Sequence, residues 1–447
     1  MKMRGTAKVF VIMGLTMMAL LLLFHLPILK VGDTQLRKVD VLADLDPESS
    51  THYDSVPDAP EAPKGPWKDV WPKGVEPILD YGSDSTCGMD RFYAALAQGK
   101  KLGRPVRIAY LSDSFVEGDI MLVDLRHLLQ KHFGNGGLGW LRCRTNFDEG
   151  TYAANLSSSG FEVHHVMKRK ALSMAHYILP QGYAEVMGNA TCSVSSLTGD
   201  FATTWKHATV WGFTNSSTTV SGAGKTVNWS ASNAVQTAQF DAPSMNAFTT
   251  SISGNAKVFG MSLENDNGIV LDNFGVRGSS GFNLVDMAEG LSVDFAKKRP
   301  YDMVVIHFGL NAISRTSTDK TCMWYTDAMK KCVERIKKLY PQSAVLIVSA
   351  SDMAARNPST GKVETIPAVE ALVGYQRKMA ADMQVGFVSI YDVMGGRNSV
   401  VRMTEQGIGE RDYTHIKRQG GKVVAEKFVK SFIAGFDNYK RKKAAGY

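Results

Sequence analysis

The strongest constraint in this sequence is an alternation. Short apolar runs with the continuous character of buried strands occur at residues 104–111, 269–273, 303–308, 344–349 and 386–391, and helical patterns fall between and after them. After the first run, Met121, Leu122, Leu125, Leu128, Leu129 and Phe133 share one helical face until Gly134 ends the pattern. Further helices are expected at 89–98, 284–297, 326–339 and 368–383, and a last one carries Val424, Phe428 and Phe432. Strands that are apolar throughout and separated by helices predict an α/β fold with a parallel sheet covered on both faces. With 447 residues, 44% of them hydrophobic, the chain can bury a sizeable core, which excludes disorder throughout.

The alternation is interrupted once. From about residue 155 to 265 the sequence is rich in Ser, Thr, Asn and Gly with interleaved aromatics, and 208–215, 235–240, 247–252 and 256–263 read as strands. An inserted all-β domain, a sandwich or jelly roll, is expected there. Ahead of the alternation, Lys2, Arg4 and Lys8 precede an apolar run from residue 9 to 29. As a helix rising about 1.5 Å per residue, that run reaches roughly 30 Å, the thickness of a bilayer core. The basic flank and the lack of a small-residue cleavage site predict an uncleaved transmembrane signal anchor, and His25 and Pro27 keep a cleaved signal peptide as the alternative. Residues 31–66 are acidic and poor in aromatics, and seven of the fifteen prolines lie between positions 47 and 77, as in a disordered tether. The expected division is thus 1–30 cytoplasmic stub and anchor, 31–66 tether, 67–154 and 266–447 the two parts of the α/β domain, and 155–265 the insertion. The globular part is expected on the outer side of the cytoplasmic membrane.

Charge and cysteines exclude more than they suggest. The net charge of +8 is dispersed, apart from residues 168–170 and 440–443, and predicts no nucleic-acid partner. The five cysteines are too scattered for a disulfide framework and form no close pair of the zinc or redox kind, so neither metal nor cofactor is expected.

Four local signals carry chemistry. Ser112-Asp113-Ser114 follows the first strand, at the carboxyl end of the expected sheet, where ligands of open α/β sheets bind. Asn273-Phe274-Gly275-Val276-Arg277-Gly278 follows the second, and its glycines let backbone N–H groups approach an oxyanion. Gly309-Leu310-Asn311 closes the third strand and offers a side-chain amide. Asp412-Tyr413-Thr414-His415 stands before the last helix, a spacing that lets a carboxylate hold one imidazole nitrogen while the other faces a serine. Each has an ordinary structural reading: helix cap, tight turn, turn Asn, and a common Asp-x-x-His spacing that Asp124 and His127 share in mid-helix. Their order, each at a strand end or before the last helix, is what carries the functional reading.

These four blocks resemble the SGNH or GDSL hydrolases, over residues 104–434 apart from the insertion. The resemblance implies a flavodoxin-like sheet, Ser114 as nucleophile, His415 as base oriented by Asp412, and an oxyanion hole from Ser114, Gly278 and Asn311. Ser112 stands where the family has its first glycine, and Ala312 where an acidic residue often follows the Asn. About 160 residues separate Ser114 from Gly278, against the few tens of an ordinary crossover. This layout is similar to bacterial peptidoglycan O-acetylesterases and O-acetyltransferases, whose SGNH domain is interrupted by a carbohydrate-binding-like β domain. It implies a serine esterase in the periplasm of a bacterial envelope, removing short acyl groups from an O-acylated glycan such as peptidoglycan. The alternatives are an O-acetyltransferase with the same triad, a lipase or thioesterase, and a non-catalytic glycan-binding protein. In the insertion, Trp205, Trp211, Phe213 and Trp229 are candidates for stacking on sugars or for packing its core.

Overall fold

The computed structural model describes residues 67–144 and 151–447, together with the paired segments Lys30–Val31 and Thr34–Gln35. The expected anchor helix and nearly all of the tether lie outside the described residues. Among the described residues, no helix is long and apolar enough to cross a membrane.

Residues along each main strand are buried on alternate sides. In β1 (Val106–Ser112), Val106, Ile108 and Tyr110 enter one core while Ala109 and Leu111 enter another. β2 (Ile269–Gly275), β3 (Met303–His307), β4 (Ala344–Val348) and β5 (Gly386–Val388) complete a parallel sheet in the order β2-β1-β3-β4-β5, with Leu79–Asp80 antiparallel at its edge. Helices α1 (Asp90–Gln98), α2 (Leu122–Phe133) and α6 (Arg418–Ala444) cover one face; α3 (Glu289–Lys298), α4 (Asp319–Leu339) and α5 (Pro367–Asp382) cover the other. This is the flavodoxin-like order, and it places a topological switch between β1 and β3, where the crossovers leave β1 in opposite directions.

Two local expectations shift for identifiable reasons. β5 stops at Val388 because Ser389 caps a short helix, Ile390–Met394, by accepting from the Asp392 N–H at 3.1 Å. α4 starts at Asp319, several residues early, because Thr318 and Thr321 form a reciprocal cap.

The β region is built on one long strand, Ala247–Glu264, where two were expected. Gly254, at φ +123°, lets the strand continue through Ser253-Gly254-Asn255, which reads as a turn. Its first half pairs with Tyr183–Ser196 and Thr218–Gly222; its second half pairs with Trp205–Phe213 and Gly137–Leu141, so the two layers share it. Gly137–Leu141 lies ahead of the boundary expected at 155. Trp205, Val210, Trp229, Phe240 and Ile252 fill the core between the layers.

A buried charge network joins this region to the amino end of the parallel sheet. Arg299, at 0% exposure, donates to Glu264 at 2.7 Å and pairs with Asp272 at 2.5 Å. Arg107 of β1 grips the same Glu264 through two bonds of 2.9 and 2.7 Å. Burial would raise the Glu264 carboxyl, but the two guanidinium groups overcome it and bring it down to about 2.

Candidate active site

The switch point gathers the expected site residues because three strands end on one rung. Ser112 is in register with Gly275 of β2 and with His307 of β3. Ser114, Gly278 and Asn311 therefore lie two, three and four residues beyond the same level. His307 itself is buried beneath the site, its Nδ1 3.1 Å from the Tyr110 hydroxyl, and burial pushes its ring down to about 3, so it stays neutral.

Ser114 Oγ lies 2.9 Å from His415 Nε2, and His415 Nδ1 lies 2.6 Å from Asp412 Oδ2. The histidine turn is held mostly by its own backbone. Asp412 Oδ1 accepts from the N–H groups of Thr414 and His415, both at 3.0 Å, and Tyr413 between them takes the left-handed φ of +53°. Partial burial disfavours charge on Asp412, but the bonds from His415 and Thr414 outweigh it and hold the carboxyl below its usual range. The turn is tied to its surroundings by the Ala354 N–H, which donates to Tyr413 O at 2.9 Å. The helix behind it approaches the segment after Ser114 closely: a Cβ on Gly421 would meet Ile120 O at 2.2 Å, so glycine is required there.

Asn311 links the two turns. Its Nδ2 donates to Asp113 Oδ2 and to Ser279 O, both at 3.0 Å, so both amide hydrogens are engaged. Asp113 was legible as the middle of Ser112-Asp113-Ser114 but carried no assigned role. It is buried, which pushes its carboxyl up to about 6 against the Phe115 N–H, His415 and Asn311. Gly278 has φ +74°, and among the described residues neither its N–H nor that of Ser114 has a hydrogen-bond partner. Two unpaired backbone donors thus flank the serine.

Glu117 and Asp119, beside the serine, are buried in ion pairs: Glu117 with Arg277 at 2.7 Å, Asp119 with Arg126 at 3.0 Å. Asp124 and His127 are placed away from the serine, as a mid-helix position dictates. Asp124 pairs with Arg418 at the start of α6, and His127 packs on Phe201 at 5.4 Å between centroids.

The β region reaches this end of the sheet through a segment that carries no sequence signal. Gln181 Nε2 donates to Gly275 O at 2.9 Å, Asn283 Nδ2 to the Tyr177 hydroxyl at 2.6 Å, and Met167 Cε comes within 3.8 Å of where a Gly278 Cβ would stand. Of the insertion's aromatics, Trp205 and Trp229 lie in its own core, while Trp211 and Phe213 pack toward the α/β domain; all four are buried.

Residues 241–409 match the GDSL-like Lipase/Acylhydrolase family. This stretch of the chain is thus similar to the GDSL-like acylhydrolases. The matched part includes Gly278 and Asn311; it begins after Ser114 and ends before Asp412. Among solved structures, one described as a peptidoglycan O-acetylesterase in action is 20% identical, with a TM-score of 0.65, over 80% of this chain and 99% of that one. A family two carbohydrate esterase from Cellvibrio japonicus is 10% identical, with a TM-score of 0.26, over 64% of this chain and 99% of that one. A carbohydrate acetylesterase from Sinorhizobium meliloti is 18% identical, with a TM-score of 0.26, over 40% of this chain and 80% of that one. No curated protein matches the sequence significantly. The first of these solved structures shares this fold, the β region included.

Proposed function

We propose that this GDSL-like hydrolase is a serine esterase that removes acetyl groups from a polysaccharide through an acyl-enzyme. The observation that carries the proposal is the line Ser114 Oγ, His415, Asp412, with steps of 2.9 and 2.6 Å, beside the unpaired N–H groups of Ser114 and Gly278. In this reading His415 Nε2 takes the Ser114 proton as Oγ attacks the ester carbonyl, and Asp412 stabilises the imidazolium. The two backbone N–H groups receive the developing oxyanion, each such donor being worth about 3 kcal/mol. Asn311 adds a third donor if its amide turns from Ser279 O, with Asp113 still holding the other hydrogen. The His415 imidazolium then gives its proton to the departing sugar oxygen, which leaves as a hydroxyl, and a water activated by the same ring releases acetate from Ser114.

The glycan substrate is supported by the peptidoglycan O-acetylesterase with the same domain arrangement. Purified enzyme incubated with O-acetylated peptidoglycan, acetylated xylan and a short aryl acetate tests it. Acetate release from a glycan with water as acceptor is the expected result. Acetyl transfer to added oligosaccharide without free acetate would make the enzyme a transferase, and hydrolysis of long-chain esters alone would make it a lipase.

A further inference from the structure

The sugar-stacking candidates of the insertion are buried, with Trp205 at 0%, Trp229 at 2% and Trp211 at 6% exposure. Among the seven tryptophans, only Trp324 is exposed, at 62%. It stands in the first turns of α4, and Phe282 meets it edge-on, with centroids 5.5 Å apart and planes at 74°. Met323, its neighbour in the helix, is also exposed, at 47%. Solvated aromatics cost little singly, but an indole fixed by a neighbouring ring and next to an exposed apolar side chain marks a contact surface.

Its place in the fold says what it contacts. Phe282 is four residues from Gly278, so it lies within about 15 Å of the unpaired N–H there. The intervening chain is pinned to the site: Ser279 O accepts from Asn311 Nδ2 at 3.0 Å, and Ser280 O accepts from the Tyr325 hydroxyl, also at 3.0 Å. Between Asn311 and α4 the loop exposes Ser314, Arg315 and Thr316. The apolar area is small and bordered by exposed Lys320 and Asp327, unlike a lipid-contacting face. A flat ring with a polar rim, on a segment joined to the candidate site through Ser279 and Ser280, suits one pyranose.

We propose that Trp324, held by Phe282, is a subsite that stacks on a sugar ring of the glycan strand flanking the ester. This rests on the glycan-esterase reading and adds the direction in which the strand leaves the serine. Because the ring is fixed in advance, binding orders little of the protein.

The experiment compares wild type, Trp324→Ala and Trp324→Phe in the full chain, using O-acetylated peptidoglycan strands and 4-nitrophenyl acetate. The kcat/KM ratio of glycan to small ester should fall about tenfold in Trp324→Ala, through KM, and recover largely in Trp324→Phe. An unchanged ratio overturns the proposal, as does an equal loss on both substrates, which would mean a structural role. A change of oligomeric state in Trp324→Ala also overturns it, by assigning the face to a second copy. If wild type releases no acetate from the glycan, the functional reading fails separately. Stacking is then decided by fluorescence titration of the Ser114→Ala protein with de-esterified peptidoglycan strands: quenching that Trp324→Ala removes supports the subsite, and no such quenching overturns it.

Discussion

The two ends of β1 are built on opposite principles. At the amino end Arg107, Glu264, Arg299 and Asp272 are buried; Arg299 and Asp272 are at 0% exposure, and only Arg299 Nε of that guanidinium lacks a partner. At the carboxyl end the side chains of His415 and Asp412 are 40% and 51% exposed, and two backbone N–H groups wait unpaired. Saturated, desolvated charge resists change and fixes how the β region sits on the sheet. Open, unsaturated geometry gains its partners only when a reacting group arrives. Stability and chemistry are thus separable along one strand.

The contrast predicts how substitutions divide. The largest effect belongs to the carboxyl end: Ser114→Ala and His415→Ala should each lower ester turnover by about 10³-fold or more without lowering the melting temperature. Asp412→Asn should follow with a large though incomplete loss, since it removes the charge facing the imidazolium. Activity within a hundredth of wild type in Ser114→Ala would remove Ser114 as nucleophile.

At the amino end the sign reverses. Arg299→Met leaves Asp272 buried without a guanidinium and Glu264 with Arg107 alone, so denaturant unfolding should show a loss of about 3–5 kcal/mol while turnover per folded molecule persists. Equal unfolding midpoints for variant and wild type would break the comparison.

A pH titration of stability sharpens it. Glu264 is held at about 2 against an ordinary 4.5. Its contribution is therefore complete above about pH 4.5 and is lost as pH falls toward 2, by about 3 kcal/mol in all. Unfolding free energies of Glu264→Gln across that window should fall less steeply than those of wild type.

The smallest effect is expected for Asp124→Asn and His127→Phe. They share the Asp-x-x-His spacing but touch Arg418 and Phe201, and turnover should change less than about tenfold.

Much of the site was legible because its signals are local. Ser114, Gly278, Asn311 and the Asp412-to-His415 turn each sit at the end of a strand or before a helix that its own periodicity reveals. Asp113 stood in plain view, but its use was not, since its partner Asn311 lies 198 positions away. The segment 165–181 has no regular period, so nothing in the sequence tells that Gln181 seats it on Gly275. The exposure of Trp324 and the burial of Trp211 likewise follow from what packs on each.

The sequence by itself determined the alternating strands and helices, the interruption between them and the order of the four blocks, because apolar periodicity and turn chemistry act over a few residues. The tertiary structure alone decided that the long strand Ala247–Glu264 ends in a carboxylate shared by two arginines. It alone decided that Asn311 bridges the turns of Ser114 and Gly278, and that Trp324 faces solvent. Those outcomes depend on desolvation and on contacts between residues far apart in the chain, which no local pattern encodes.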